Sequence, residues 1–322
     1  MTVLNTYHNT VFLNKQLPAT IMQLKNWCII NVIGMDSIKY LNQQFTLDIN
    51  TVHKTRYQFG AHCNYNGKVW CPFLIFKYNN IYAYLIRTEI ALKQMKELKK
   101  YSVFSDINIF VNKNWKIFGV AGFGILNILT KYFTELPNSN HNIMYYKKII
   151  VLRLSFPSER FLIICKNKYS YDFIKKIAIN MFISTDLQWK SLDIESNFPI
   201  INNITIGRFL PQSLNLKYWN ALCFNKGCYY GQEILYRYEK QKINKFKMKV
   251  LIGESKVFPI IGSWIEYHEN IENICNAGII LEVVQLLKNK ILLQVCMKKI
   301  FCKEKKSFYI SGKYSSKFVF FS

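Results

Sequence analysis

The chain places one cysteine in a setting that favours chemistry, within the run Lys226-Gly227-Cys228-Tyr229-Tyr230-Gly231-Gln232-Glu233. The glycines allow tight turns and let a ligand or another backbone approach closely. The residues from Gln232 are predicted to form a short helix ending near Tyr238, so Cys228 lies just before a helix N-terminus with Lys226 nearby. Both features favour the thiolate, the reactive form of cysteine. The alternative interpretation is a buried and inert thiol, which is common for a single cysteine.

The other eight cysteines and the five histidines show no comparable pattern. There is no C-x-x-C pair, so neither a zinc ribbon nor a disulfide framework is indicated, and no metal site is expected. Most of these cysteines lie in apolar runs, as Cys28 does, and are predicted to be small buried hydrophobic residues.

The charge balance favours anionic partners. Lys and Arg number 43 against 19 Asp and Glu, a net charge of +24. Lysines are concentrated near the end of the chain, where residues 286–322 contain nine of them and one acidic residue, Glu304. A solvated rim and an RNA or phosphate surface both fit this segment, and the sequence leaves the choice open.

No targeting or membrane segment is apparent. The first sixteen residues lack a cationic region followed by an apolar one. The longest apolar run, Ile117–Thr130, is interrupted by glycines and is too short to span a bilayer. The sequence therefore predicts a cytoplasmic protein without a membrane interaction.

The elements around these residues indicate an α+β protein with more than one domain. Half of the 322 residues are hydrophobic, which is ample for a core and fits two or three packed units. Apolar strands separated by Asn64-Tyr65-Asn66-Gly67 and by Asn79-Asn80 predict two β-hairpins. Helical periodicity predicts a helix over 88–100 and another that is capped by Ser170 and includes Met181. From Lys247 onward only short strands follow, which is typical of a separate β-barrel.

The cysteine run resembles a known family signature, K-G-C-Y-x-G-Q-E followed by an arginine, here Arg237. This is the signature of the YgfZ family, folate-binding tRNA-modifying proteins related to the aminomethyltransferase (T protein) of the glycine cleavage system. Further matches cover nearly the whole chain: Gly34-x-Asp36-Ser37-x-x-Tyr40, Ala61-His62-Cys63-x-x-x-Gly67-Lys68-x-Trp70, Gly119-Val120-Ala121-Gly122-Phe123 and Phe209-x-Pro211-Gln212. The motif positions are Gly227, Tyr229, Gly231, Gln232, Glu233 and Arg237.

The resemblance implies a folate-binding, aminomethyltransferase-like fold of two α+β domains with a C-terminal β-barrel. The expected discontinuous folate-binding domain comprises residues 1–115 and 190–246. The expected second α+β domain is 116–189, and the expected barrel is 247–322.

The resemblance also implies tetrahydrofolate as cofactor, with Trp27 and Trp189 at the positions of the family's folate-contacting tryptophans. An indole offers a rigid stacking surface for a flat pterin and one N–H donor. Trp189 lies in a polar segment, which suggests a pocket wall. The implied function is iron–sulfur-dependent tRNA modification, including thiolation, with a link to regulation of replication initiation. Cys228 is the candidate reactive group, with Lys226 beside it.

The expected partners are folate and either tRNA or the iron–sulfur enzymes that modify it, and a monomer is expected. Two other functions stay open: a folate-dependent aminomethyl or methyl transferase, and a purely RNA-binding protein. True aminomethyltransferases carry a carboxylate in the strand after the Gly67 turn, and the run from Lys68 to Phe73 has none. Aminomethyl transfer is therefore disfavoured, and an accessory folate-binding protein is favoured over a transferase.

Overall fold

The computed structural model describes residues 10–270, 273–286, 290–302 and 306–321. In these residues the chain forms two open β-sheets, one closed barrel and six α-helices. The strands are β1 (Thr20–Gln23), β2 (Trp27–Ile33), β3 (Gln58–Cys63), β4 (Val69–Tyr78), β5 (Ile81–Arg87), β6 (Asn108–Val111), β7 (Trp115–Ala121), β8 (Ile143–Tyr146), β9 (Ile149–Leu154), β10 (Arg160–Lys166), β11 (Phe182–Ser184), β12 (Phe246–Glu254), β13 (Trp264–His268), β14 (Ile274–Gln285), β15 (Lys290–Lys298), β16 (Phe308–Ile310) and β17 (Lys313–Phe320). The helices are α1 (Ser37–Gln44), α2 (Thr88–Lys99), α3 (Ile125–Leu129), α4 (Asn167–Ile177), α5 (Asp186–Glu195) and α6 (Gln232–Gln241).

The first open sheet is antiparallel, with strand order β3-β4-β5-β2-β6. Both predicted hairpins are confirmed: β3 pairs with β4 across the Asn64–Gly67 turn, and β4 pairs with β5 across Asn79-Asn80. Gly67 and Asn79 have positive φ angles, the backbone conformation for which these residue types are suited. The predicted helix over 88–100 is confirmed as α2.

The second open sheet has the order β11-β1-β7-β10-β9-β8. The pairing of β1 with β11 is parallel, and the pairings of β1 with β7 and of β7 with β10 are antiparallel. Strand β1 lies within 1–115, the predicted first domain, but it pairs with strands of the predicted second domain. The first nine residues of that predicted first domain lie outside the described residues.

Helix α4 differs from the prediction at both ends. It begins at Asn167, so Ser170 lies inside the first turn, where its Oγ donates to the Asn167 carbonyl. The prediction that Ser170 caps this helix is therefore wrong, because its hydroxyl bonds back along the chain rather than to a free N–H. The helix ends at Ile177, and a 3-10 turn separates it from Met181.

The two open sheets face each other across an apolar layer. Leu74 and Leu85 reach this layer from the first sheet, Leu152 and Leu162 from the second, and α5 contributes Trp189. The other face of the first sheet is covered by α1, α2 and part of the segment between α5 and α6. The first sheet is therefore buried on both faces, and α5 lies beside the layer where the sheets meet.

The predicted barrel is confirmed as a closed six-stranded barrel with the order β12-β15-β14-β13-β16-β17. It begins at Phe246, and its predicted range includes residues 271–272, 287–289, 303–305 and 322, which lie outside the described residues. The barrel is joined to the rest of the protein by the buried Gln294, which accepts from the Ile200 amide (2.8 Å) and donates to the Phe198 carbonyl (2.7 Å). In the described ranges no helix is long and apolar enough to cross a membrane.

Candidate functional site

The two tryptophans assigned by resemblance to the cofactor, Trp27 and Trp189, line one cavity between the open sheets. Trp27 begins β2 and is half-buried, whereas Trp189 lies on α5 and is only 1% exposed. The Trp189 ring packs so closely on Gly119 of β7 that no Cβ fits between them. The cavity measures about 20 Å³, enough for one water molecule. The structure therefore brings the two indoles together, with Trp189 as part of the core.

Each indole is covered by an arginine, and one carboxylate bridges the two arginines. The Cζ atom of Arg87 lies 4.3 Å from the centroid of the Trp27 ring, and that of Arg160 lies 4.3 Å from the centroid of the Trp189 ring. Asp193 on α5 pairs with Arg87 Nη2 at 2.6 Å and with Arg160 Nη2 at 2.9 Å. Burial lowers the pKa of Arg160, and the neighbouring Asp193 opposes that shift. Each tryptophan therefore forms a cation–π pair with an arginine, and the buried Asp193 carboxylate holds both arginines in place.

Two buried donors of this group have no hydrogen-bond partner among the residues that the structure describes: Trp27 Nε1 and Arg160 Nη1. Both residues line the cavity. An unpaired buried N–H costs about 1–3 kcal/mol, so native proteins rarely leave two in one place. The donor pair indicates a site for a hydrogen-bond acceptor at this cavity.

A cleft of about 200 Å³ is lined in part by Arg87. Its polar lining includes Lys190, which pairs with Glu282 at 3.3 Å. It also includes Glu89, whose pKa is raised by burial and by the nearby Glu282. Arg87 lines this cleft and lies over the ring of Trp27, which lines the cavity, so the cleft and the cavity are neighbours at these two residues.

Cys228 is exposed and lies in an open groove of about 910 Å³ at the start of α6. The Gln232 side chain holds the loop that carries it. Gln232 Oε1 accepts from the Tyr229 amide at 3.0 Å, and Gln232 Nε2 donates to the Phe224 carbonyl at 3.5 Å. The predicted helix from Gln232 is confirmed as α6, and it places Cys228 four residues before the first helical residue.

Lys226 has a structural role in the same loop. Its Nζ donates to the carbonyls of Asn42 (2.8 Å), Phe45 (2.6 Å) and Leu47 (2.5 Å) at the end of α1. Burial lowers the pKa of Lys226 to about 8, so the amine is still mostly protonated at neutral pH. The ammonium therefore caps the C-terminus of α1 and joins it to the cysteine loop.

The remaining motif residues divide into packing and surface positions. Gly231 has a φ of +81°, and a Cβ there would lie 2.5 Å from the Asn64 carbonyl oxygen in the β3–β4 turn. A Cβ on Gly227 would meet nothing within 4 Å. Glu233 and Arg237 are exposed one turn apart on α6. Thus Gly231 is required by packing, whereas Gly227 is not.

Sequence reasoning missed Arg87, Arg160 and Asp193. A signal was present for two of them: Arg160 begins an apolar strand, and Asp193 stands between Leu192 and Ile194. A charge in an apolar run is rarely buried without a partner, so each of these two positions carried a signal of a buried ion pair that the sequence analysis did not use. None of the described residues lines both the tryptophan cavity and the cysteine groove, so the predicted site residues form two separate places.

Two curated relatives that the chain matches carry the same protein name, although no family model matches the chain. The tRNA-modifying protein YgfZ of Buchnera aphidicola subsp. Schizaphis graminum is 38% identical over 299 residues, 93% of each chain. The protein of the same name from Pectobacterium carotovorum is 32% identical over 282 residues, covering 88% of this chain and 84% of the relative. Among solved structures, the glycine cleavage system aminomethyltransferase T from Bartonella henselae matches with a TM-score of 0.76 at 12% identity, covering 95% of this chain and 86% of that one.

The structural match confirms the predicted fold class, two α+β units with a C-terminal barrel in the aminomethyltransferase T fold. The sequence matches run through almost the whole chain of each relative, so they are not confined to the cysteine motif. Together they confirm the resemblance first seen at Cys228: the chain belongs to the YgfZ family of tRNA-modifying proteins.

Proposed function

We propose that this protein binds tetrahydrofolate at the Trp27–Trp189 cavity and acts in tRNA modification. The observation that carries the folate assignment is the pair of unpartnered buried donors, Trp27 Nε1 and Arg160 Nη1. A pterin has acceptor atoms along its edge, which match the two donors, and a flat face that would stack on the half-buried Trp27 ring. The fold of a folate-using aminomethyltransferase supports the same assignment.

The cavity has to enlarge to admit a ring, because about 20 Å³ holds only one water. Arg87 lies over the Trp27 ring and lines the cleft of about 200 Å³, so its movement is the step we propose for joining the cavity to that cleft. Asp193 would keep its contact with Arg160 during this movement. In the joined space, Lys190 and Arg87 are the cations that the anionic glutamate tail of folate would contact, and the carboxylates of Glu89 and Glu282 line the same cleft.

The relatives' names support a role in tRNA modification, and we propose iron–sulfur-dependent thiolation as its form, with tRNA or its iron–sulfur enzymes as partners. A link to replication initiation is proposed from the resemblance alone. A bound folate would supply a one-carbon unit or a redox-active ring. Cys228, exposed in its groove, is the proposed reactive group of this chain, and Lys226 positions its loop.

Aminomethyl transfer is the weaker alternative. Strand β4 contains no carboxylate. The cavity's own carboxylate, Asp193, is held between two guanidinium groups. Its two oxygens are therefore engaged by Arg87 and Arg160 rather than directed at a substrate.

The folate assignment is tested by titrating the purified protein with tetrahydrofolate while tryptophan emission and equilibrium dialysis are recorded. We expect quenching, and about fivefold weaker binding in Trp27→Phe, because the phenyl ring still stacks but lacks the N–H. Trp264→Phe, on the barrel, is the matched control and should bind like the parent protein. Equal affinity of Trp27→Phe and the parent would overturn the assignment.

The role of Cys228 is tested in cells that lack their own copy of the gene. Cys228→Ala should fail to restore thiolated tRNA, quantified by mass spectrometry of digested tRNA, while keeping its affinity for tetrahydrofolate. Cys275→Ala, a half-buried barrel cysteine, is the matched control. Full restoration by Cys228→Ala would leave Cys228 without a role in the reaction.

A further inference from the structure

The groove around Cys228 is walled by aromatic side chains that reach solvent. Tyr65 from the β3–β4 turn is 67% exposed, and Tyr236 of α6 is 51% exposed. Tyr230 lines the same groove and is only partly buried. These exposed rings lie outside the packed core. Unstacked bases bind well to exposed aromatic rings, at about 1–3 kcal/mol per base.

A second groove, of about 680 Å³, lies on the other side of α6. Its charged residues are Lys68, Arg208 and Lys245, and its described lining contains no carboxylate. In the described ranges of the chain, none of these three cations takes part in an ion pair. Three uncompensated cations along one groove form a site for successive phosphates.

More cations continue from α6 into the barrel. Between Arg237 and Lys249 the single acidic residue is Glu239, which is paired with Lys217. The Lys299 amide donates to the Lys245 carbonyl at 2.8 Å, so a lysine from a second segment of the chain is placed at this edge. The basic groove is therefore one end of a longer positive surface.

The two grooves share their walls. The β3–β4 turn carries Tyr65 into the aromatic groove and Lys68 into the basic groove. Helix α6 likewise contributes Tyr236 to the first groove and Tyr238 to the second. A nucleic-acid strand lying across α6 would place its bases in the aromatic groove and its phosphates in the basic groove.

We propose that unpaired RNA binds directly across α6, with a base stacked in the aromatic groove beside Cys228 and its backbone phosphates in the basic groove. The choice of RNA as the polyanion rests on the proposed function, but direct contact with RNA goes beyond it. A duplex hides the faces of its bases, so the exposed tyrosines favour a single-stranded loop or end. An acidic protein surface would use the lysines alone, and the experiment separates that case.

The test is fluorescence anisotropy of a labelled oligouridylate of about twelve nucleotides, a length within common single-strand site sizes. We expect affinity to fall with salt, with a log–log slope that loses about 1.4 in the Lys68→Gln, Lys245→Gln double variant, at about 0.7 per phosphate contact. Tyr236→Ala should weaken binding about tenfold and leave the salt slope unchanged, because stacking carries no charge.

The matched control is Lys131→Gln, Lys175→Gln, which removes two exposed lysines near the second sheet. Equal weakening in this control would show that binding depends on the overall positive charge rather than on this groove, and it would overturn the site. Equal or tighter binding of an RNA duplex would also overturn the proposed site. No effect of Tyr236→Ala on binding would overturn it in favour of an acidic partner. Tetrahydrofolate affinity of the same variants should match that of the parent, so loss of RNA binding alone leaves the proposed function standing.

Discussion

The buried bridge formed by Asp193 offers the sharpest test of how the tryptophan cavity is held together. Asp193→Asn keeps the shape of the side chain and removes its charge. Arg87 and Arg160 would then lie over their indoles without an anion, and the side chain of Arg160 is only 1% exposed. Removing one partner from a buried ion pair typically costs 3–5 kcal/mol, so we expect a loss of about 4 kcal/mol of unfolding free energy.

The measurement is urea unfolding followed by far-UV circular dichroism. Glu97→Gln is the control, because its pair with Lys100 is partly exposed and should be worth less than about 1 kcal/mol. Adding Arg160→Met to Asp193→Asn should recover part of the loss, since one unpaired charge disappears with it. A loss below about 1 kcal/mol in Asp193→Asn would refute the bridge as the support of the cavity.

Three further predictions concern other buried or strained groups. Burial raises the pKa of Glu195 from 4.5 to about 7, so the parent should lose up to about 3 kcal/mol of stability as pH rises from 4.5 through 7. Glu195→Gln should show no such loss in urea unfolding, and an unchanged pH slope would contradict this assignment. Gly231→Ala should lower the free energy of unfolding by about 2 kcal/mol or more, because the φ angle of Gly231 is positive. Gly227→Ala is the matched control, and its free energy of unfolding should lie within about 0.5 kcal/mol of the parent value. Lys226→Met should lower the free energy of unfolding by about 3 kcal/mol in urea unfolding, because three carbonyls lose their donor. The control is Lys240→Met, at an exposed position. A loss in Lys226→Met as small as that in Lys240→Met would exclude the capping role.

Much of the fold was predictable because its signals are local. The hairpin turns combine Asn and Gly with alternating strands, and the barrel begins where short strands replace mixed elements. The pairing of β1 was not predictable, because a strand of four residues carries little pattern and its partners β7 and β11 are distant in sequence. Ser170 was misassigned because a serine near a helix start can cap the helix or bond back within its first turn.

The same contrast holds for the candidate sites. The cysteine loop was predictable because its glycines, Gln232 and the helix start lie within a few residues. The Arg87–Asp193 pair joins residues 106 positions apart, and only the folded chain shows that Asp193 also pairs with Arg160. The sequence marked Asp193 and Arg160 as unusual charges in apolar runs, yet it did not say that they are partners.

Strand register explains how the two sites can serve one function while remaining separate. Trp27 pairs with Arg87 at the end of β5, and that end of the sheet is also where Val69 begins β4 after the turn that packs on α6. Two strand spacings of about 5 Å each separate β2 from β4, so both sites lie near the same end of the sheet. The cavity is closed and lined by indoles and paired charges, whereas the groove is open to solvent. Under the functions proposed above, the closed cavity would keep a small cofactor from water and the open groove would hold a large substrate, both near one end of this sheet.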